Sequence, residues 1–128
     1  MTIKTLNFHP DTDPKLLCTC GHPDCDQRSV SQAVLDMTQS GRDILRHGVR
    51  VTSGGRCPNH QSESHRTTPA DHQKGNGIDV SVNGSTRGNV VSAGIEVGFN
   101  AIGVAKTFVH WGYRKELPVG HITMWVYS

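Results

Sequence analysis

The sequence predicts an α+β domain in which helices flank a small antiparallel sheet. Two observations favour this class: one segment repeats apolar residues at helical spacing, and several later segments alternate apolar and polar residues as half-buried strands do. The chain has 128 residues, of which 34% are hydrophobic, and this is enough for one modest core. We therefore expect a single domain over residues 1–128.

The N-terminal part carries little periodicity. Residues 1–13 predict an arm or strand, because the turn-forming residues Asp11 to Pro14 end it, and residues 14–28 predict a Cys-rich loop. A helix is predicted from Val30 to His47, with Ser29 and Gln32 as its capping box and Gly48 as its left-handed cap. Its apolar face comprises Val30, Val34, Met37, Gly41 and Leu45.

The remaining elements follow from alternation and capping signals. A second helix is predicted to start after Ser85 or Thr86 and to end near Gly98, with Val90, Val91 and Ile95 facing inward. The predicted strands are Val49 to Ser53, Gly77 to Val82, Ala101 to Val104, Lys106 to Tyr113 and Ile122 to Tyr127, and the strands at 101–104 and 106–113 are expected to form a hairpin.

Charge and hydropathy exclude two classes of partner. The formal charge of +2 comes without a basic cluster, so we expect no nucleic acid. No segment approaches the roughly 20 apolar residues of a membrane span, so we expect no membrane contact. Met1 to Pro10 lack the apolar core of a signal peptide, and we therefore expect synthesis without export.

His72, Asp79 and His110 form a candidate site for a catalytic zinc ion. Two imidazoles and one carboxylate bind Zn²⁺ and leave a fourth position for water. Gly75 and Gly77 would let the backbone turn between His72 and Asp79. The spacing alone also fits a hydrogen-bonded His and Asp pair without metal.

Several motifs occur together in this chain: Val51 to His60 (VTSGGRCPNH), Ala70 to Asp79 (ADHQKGNGID), the late Phe-Val-His at 108–110, and the closing Met124 to Tyr127. In this order they resemble the motifs of zinc D-Ala-D-Ala carboxypeptidases and L-alanyl-D-glutamate peptidases, which cleave peptidoglycan peptides. The resemblance covers roughly residues 14–128. It implies a hedgehog-like fold.

The resemblance also implies function. It implies a zinc metallopeptidase acting on peptidoglycan stem peptides, with Arg56 near the substrate, where a guanidinium can hold a carboxylate or a developing oxyanion. A monomeric phage or prophage endolysin is expected, which accumulates in the host bacterial cytoplasm and acts on the cell wall after release. The alternative is a non-catalytic phage structural or binding protein that retains the zinc fold.

One departure leaves the general base open. Strand alternation places Phe108, His110 and Gly112 on one face, and the related peptidases usually carry Asp at the position of Gly112. Three other residues remain candidates for the base: Glu116, Asp71 and His121.

Four cysteines form a second group of candidate metal ligands: Cys18, Cys20, Cys25 and Cys57. They could close a structural zinc site, with His22 as a substitute for one thiol. Two disulfides or free thiols are the alternatives. A further possibility is a Cys-rich zinc module for protein contact, in which the His72 site is incidental.

Overall fold

The computed structural model describes residues 2–127, and within them lie two helices and a five-stranded sheet. Met1 and Ser128, which the predicted domain includes, lie outside the described residues. In chain order the elements are α1 (Gln32–Leu45), β1 (Val51–Ser53), β2 (Gly77–Ser81), α2 (Arg87–Glu96), β3 (Ala101–Val104), β4 (Phe108–Gly112) and β5 (Thr123–Val126). The α+β class is confirmed.

The sheet has the order β1-β2-β4-β3-β5 and is mixed rather than purely antiparallel. The pairs β1–β2, β2–β4 and β3–β4 are antiparallel, which confirms the predicted hairpin. The pair β3–β5 is parallel, with Ala101 opposite Thr123. Because the chain leaves β4 and enters β5 at the same end of the sheet, β5 runs antiparallel to β4 and therefore parallel to β3. The prediction of an antiparallel sheet was wrong for this edge strand.

Helix α1 begins two residues later than predicted. Ser31 is its N-cap, and its hydroxyl accepts a hydrogen bond from the Val34 amide at 3.2 Å. Ser29 instead lies in an isolated β-bridge with Leu17, so its backbone is committed to another partner. The left-handed C-cap is Arg46, with φ of 61°, and not Gly48.

Helix α2 starts after Thr86, one of the two predicted caps, but the Thr86 side chain makes no capping hydrogen bond. The Asn83 side chain accepts hydrogen bonds from the amides of Ser85 and Thr86, at 2.9 and 3.1 Å. The helix ends at Glu96, before Gly98, whose φ is 109°.

The core lies between the two helices and one face of the sheet. Val109 and Trp111 are fully buried there, on the face of β4 opposite His110, and the Trp111 indole donates to the Val90 carbonyl at 3.0 Å. The described part of the predicted arm, residues 2–13, forms hydrogen bonds with Gln32 and Gln39 of α1, has no strand and contributes Phe8 to the core. Among residues 2–127, no helix has both the length and the apolar character that crossing a membrane requires.

Candidate metal centre

The three predicted ligands converge on the face of the sheet opposite the core. Asp79 on β2 and His110 on β4 are direct cross-strand neighbours, and the loop before β2 supplies His72. One donor atom from each residue lies within 4.8 Å of the other two, and all three side chains are buried. Asp79 Oδ1 lies 3.3 Å from His72 Nε2 and 3.0 Å from His110 Nδ1.

Two glycines shape this loop, for different reasons. Gly75 has φ of 74° and makes the left-handed turn that was predicted. Gly77 is required for space: a Cβ there would lie 2.7 Å from His110 Cε1 and 2.8 Å from Asp71 Cβ. The expectation that Gly77 also serves the turn was wrong.

Hydrogen bonds behind the ligands fix which nitrogen of each imidazole faces the centre. The Gly54 carbonyl accepts from His72 Nδ1 at 2.7 Å, which leaves Nε2 towards Asp79. Asp71 Oδ2 accepts from His110 Nε2 at 2.9 Å, which leaves Nδ1 towards Asp79. A carbonyl or carboxylate behind a histidine is the usual arrangement in metal sites. The donor set therefore fits Zn²⁺ well.

The same geometry also satisfies the metal-free alternative. Burial lowers the pKa of His110, but its hydrogen bonds with Asp71 and Asp79 outweigh burial and raise that pKa. Without a metal, a protonated His110 bridges the two carboxylates. A cation at the centre would take the place of the proton on Nδ1.

The two aspartates are held in their charged form. Burial raises the pKa of Asp79, but hydrogen bonds from His110 and His72 outweigh it and hold the pKa well below its usual range. Burial likewise raises the pKa of Asp71, and hydrogen bonds from His110 and Arg114 lower it to about 2. Both groups are therefore anionic at neutral pH.

Arg56 lies beside the centre, and its guanidinium is engaged on three sides. It donates to Ser53 Oγ at 3.1 Å, to a Glu63 carboxylate oxygen at 3.3 Å and to Asp79 Oδ2 at 3.5 Å. Its side chain keeps 18% of its surface exposed. Arg56 thus holds the candidate ligand Asp79 and still reaches the solvent-facing side of the site.

The centre opens into a cleft of about 370 Å³. Three arginines, Arg56, Arg66 and Arg114, and three carboxylates, Glu63, Asp71 and Asp79, line it, so their formal charges cancel. An aromatic wall faces them, formed by Phe108, Trp125 and Tyr127. A bound divalent cation would make this cleft positive.

Sequence reasoning missed Glu63 and Arg114. Glu63 is 1% exposed, and its oxygens accept from Arg56, Arg66 and Gln73. It lies in a polar segment without periodicity, so no pattern signals its burial. Arg114 binds Asp71 through two nitrogens, at 2.9 and 3.2 Å, and lies 5.2 Å from the Trp125 ring centroid. Arg114 continues the alternation of residues 108, 110 and 112, so the same pattern would have placed it on the face of the candidate site.

Asp71 is the only one of the three candidate bases that lines the cleft. His121 borders a different cleft, and Glu116 is exposed in the connection between β4 and β5. Asp71 lies against Gly112: a Cβ at position 112 would be 2.7 Å from Asp71 Oδ2. The carboxylate of Asp71 therefore occupies the space next to Gly112.

The four cysteines also come together, and all four are free thiols. Their Sγ atoms lie within 4.8 Å of one another. Burial raises the pKa of Cys18 to about 12, whereas a hydrogen bond from the Gln27 amide lowers the pKa of Cys25 to about 7. His22 is exposed and accepts from the Asp24 amide instead, so Cys57 completes the group and His22 does not substitute for it.

The chain matches no family model, no curated protein and no solved structure.

Proposed function

We propose that this protein is a zinc-dependent peptidase that hydrolyses amide bonds in bacterial peptidoglycan peptides. The observation that carries the proposal is the convergence of His72, Asp79 and His110 at the base of an open cleft. Zn²⁺ held by these residues supplies Lewis-acid chemistry for activating water and polarising a carbonyl. The resemblance to D-Ala-D-Ala carboxypeptidases and L-alanyl-D-glutamate peptidases supports the same reaction class.

The side chains around the ligands keep them in binding geometry. The Gly54 carbonyl holds the proton of His72 on Nδ1, and Asp71 holds that of His110 on Nε2. Arg56 holds the outer oxygen of Asp79, which keeps Oδ1 towards the two imidazoles. Such contacts behind the ligands are typically worth 10–100-fold in metal affinity or activity.

The cleft also favours a peptide that carries carboxylates. Arg66 and Arg114 have 41% and 34% of their side chains exposed at its rim. Since the charges of the lining residues cancel, a bound divalent cation leaves a positive cleft, which attracts anionic groups. Stem peptides of peptidoglycan provide such carboxylates, and the aromatic wall provides an apolar surface for the rest of the peptide. We propose a phage or prophage endolysin that accumulates in the host cytoplasm and acts on the wall after release.

A second candidate is a non-catalytic phage structural or binding protein with the same centre. One observation favours it: all three carboxylates of the cleft, Glu63, Asp71 and Asp79, are engaged with arginine or histidine partners. A general base must be able to reach the proton that it removes, and none of these groups is free to do so in this arrangement.

Turnover on purified sacculi separates the two candidates. The zinc-loaded protein is incubated with sacculi, and released muropeptides and new amino or carboxyl ends are identified by mass spectrometry. We expect release that a chelator abolishes and that added zinc restores. Bound zinc without release at any pH would reject the peptidase and leave the binding protein.

Two histidine variants provide a matched comparison. His110→Ala removes a ligand and should abolish both release and zinc binding at this centre. His121→Ala changes an exposed histidine outside the cleft and should leave both unchanged. If His110→Ala keeps full release, this centre is not the active site and the proposed function is rejected.

A further inference from the structure

The second cluster of metal-ligating side chains lies outside the cleft, in the loops around Cys18 to Cys25 and Cys57. We propose that these four cysteines form a closed site for a structural zinc ion, which also fixes the loop that orients His72 and Asp79. This inference does not depend on peptidase activity.

The thiols have the number and spacing that a tetrahedral site needs. Zinc to thiolate bonds of about 2.3 Å separate the sulfur atoms of a regular tetrahedron by about 3.8 Å. The Sγ atoms of Cys20 and Cys57 are 3.6 Å apart, and all four Sγ atoms lie within 4.8 Å of one another. Four protein ligands leave no position for water, which is typical of structural zinc.

Backbone contacts bring the two segments that carry these thiols next to each other. The Cys18 amide donates to the Arg28 carbonyl at 2.9 Å, next to the bridge between Leu17 and Ser29. The Gly55 amide donates to the Leu16 carbonyl at 3.2 Å, and a Cβ at Gly55 would lie only 2.2 Å from the Arg28 carbonyl oxygen. The segment before Cys57 therefore lies directly on the Cys-rich loop.

That segment, residues 54–57, connects the histidine centre to the cluster of four cysteines. Gly54 provides the carbonyl that accepts from His72 Nδ1, and Arg56 binds Asp79. Cys57 follows immediately and is fully buried. Since a zinc ion at the cysteines would fix Cys57, it would also fix the positions of Gly54 and Arg56. Loss of this ion should weaken metal binding at the histidine centre.

X-ray absorption at the zinc edge, with elemental analysis, tests the site without changing a cysteine. The His72→Ala variant should retain one zinc per chain, with four sulfur neighbours at about 2.3 Å. The wild-type protein should hold two zinc ions and show about two sulfur neighbours per zinc on average. Absence of sulfur neighbours in wild-type protein that binds zinc would overturn the proposal.

Three further variants test the connection. Cys25→Ser should lose the sulfur-bound zinc, and zinc affinity at the histidine centre should fall about tenfold. Cys25→His restores a fourth ligand and should recover much of that affinity. His22→Ala, in the same loop, should retain both ions. A folded Cys25→Ser protein with wild-type affinity at the histidine centre would refute the connection between the centres, whatever the sacculus assay shows.

Discussion

Gly112 is a position where a single added methyl group should disturb the histidine centre. The Cβ of alanine at 112 would lie 2.7 Å from Asp71 Oδ2 and 2.8 Å from His110 Nε2. Ordinary contacts of this kind begin near 3.4 Å, so the carboxylate and the ring must each move away from the added methyl group by several tenths of an ångström. Since Asp71 lies on the loop before β2 and His110 lies on β4, we expect these shifts to break the bond between them, which is now 2.9 Å long.

Loss of the hydrogen bond between Asp71 and His110 should lower the zinc affinity of the centre, because Asp71 orients the imidazole of His110. Removing such a contact costs about 10–100-fold in metal affinity, or about 1.4–2.7 kcal/mol. We therefore expect the zinc dissociation constant of Gly112→Ala to rise by this factor. Competition with a chromophoric chelator at fixed pH measures the constant.

The chain provides a matched control and a test of the cause. Gly48→Ala adds the same methyl group where no atom lies within 4 Å, and it should bind zinc as the wild type does. In an Asp71→Ala background the clashing carboxylate is absent, so Gly112→Ala should cost less than it does in the wild type. A wild-type dissociation constant for Gly112→Ala would refute the reasoning.

Three further predictions concern stability, measured by urea unfolding. Gly94→Ala places a Cβ 2.3 Å from Trp111 Nε1 and should lower the free energy of unfolding by about 3 kcal/mol. Gly88→Ala lies in the same helix with open space around it and should raise the free energy of unfolding by roughly 0.5–1 kcal/mol. Equal effects of the two variants would contradict the packing argument. Glu63→Gln removes the buried charge from its arginine partners and should cost about 2 kcal/mol; a neutral result would show that the pairs contribute nothing. The folded-state pKa of Asp71 is lowered from 3.8 to about 2, so the charged carboxylate stabilises the fold fully above about pH 4 and this stabilisation is lost as the pH falls through 2. The effect is about 2 kcal/mol, and Asp71→Asn should lack it. Identical stability profiles in acid for the wild type and Asp71→Asn would contradict this prediction.

Much of the fold could be predicted because local patterns determine it. The alternation of β4 placed His110 and Gly112 on one face, and the structure confirms this: both lie at the histidine centre, whereas Val109 and Trp111 pack in the core on the other face. The helix limits were less predictable, because Ser29 and Ser31 both fit a cap. Only the long-range bridge between Leu17 and Ser29 decides between them. The parallel pairing of β5 is also non-local, since alternation does not specify strand direction.

The candidate site also has a part that the sequence predicts and a part that it does not. Its candidate ligands are residue types that zinc prefers, and they lie in motifs that resemble those of zinc peptidases, so the sequence predicted His72, Asp79 and His110 as a site; the structure brings them together. The hydrogen-bond partners that orient these side chains cannot be recognised in the sequence. A backbone carbonyl such as that of Gly54 has no sequence signature, and Glu63 is identified only by its burial under two arginines.

The glycine at position 112 can now be given a physical reason. His110 needs an acceptor for its Nε2 proton so that Nδ1 faces Asp79, and here Asp71 provides that acceptor from the loop. The resemblance to zinc peptidases predicts Asp at 112, on the strand itself. Two carboxylates cannot share this space, because the Cβ alone would lie 2.7 Å from Asp71 Oδ2 and the charges would repel.

The two positions should therefore be coupled. Gly112→Asp alone should weaken zinc binding at least as much as Gly112→Ala does, since it adds both the clash and a second negative charge. The double variant Gly112→Asp with Asp71→Gly should recover much of the affinity, because the strand carboxylate then takes over the space that Asp71 occupies. Chelator competition on both variants measures the coupling. If the double variant binds zinc no better than Gly112→Asp alone, a carboxylate at 112 cannot replace Asp71, and the glycine needs another explanation.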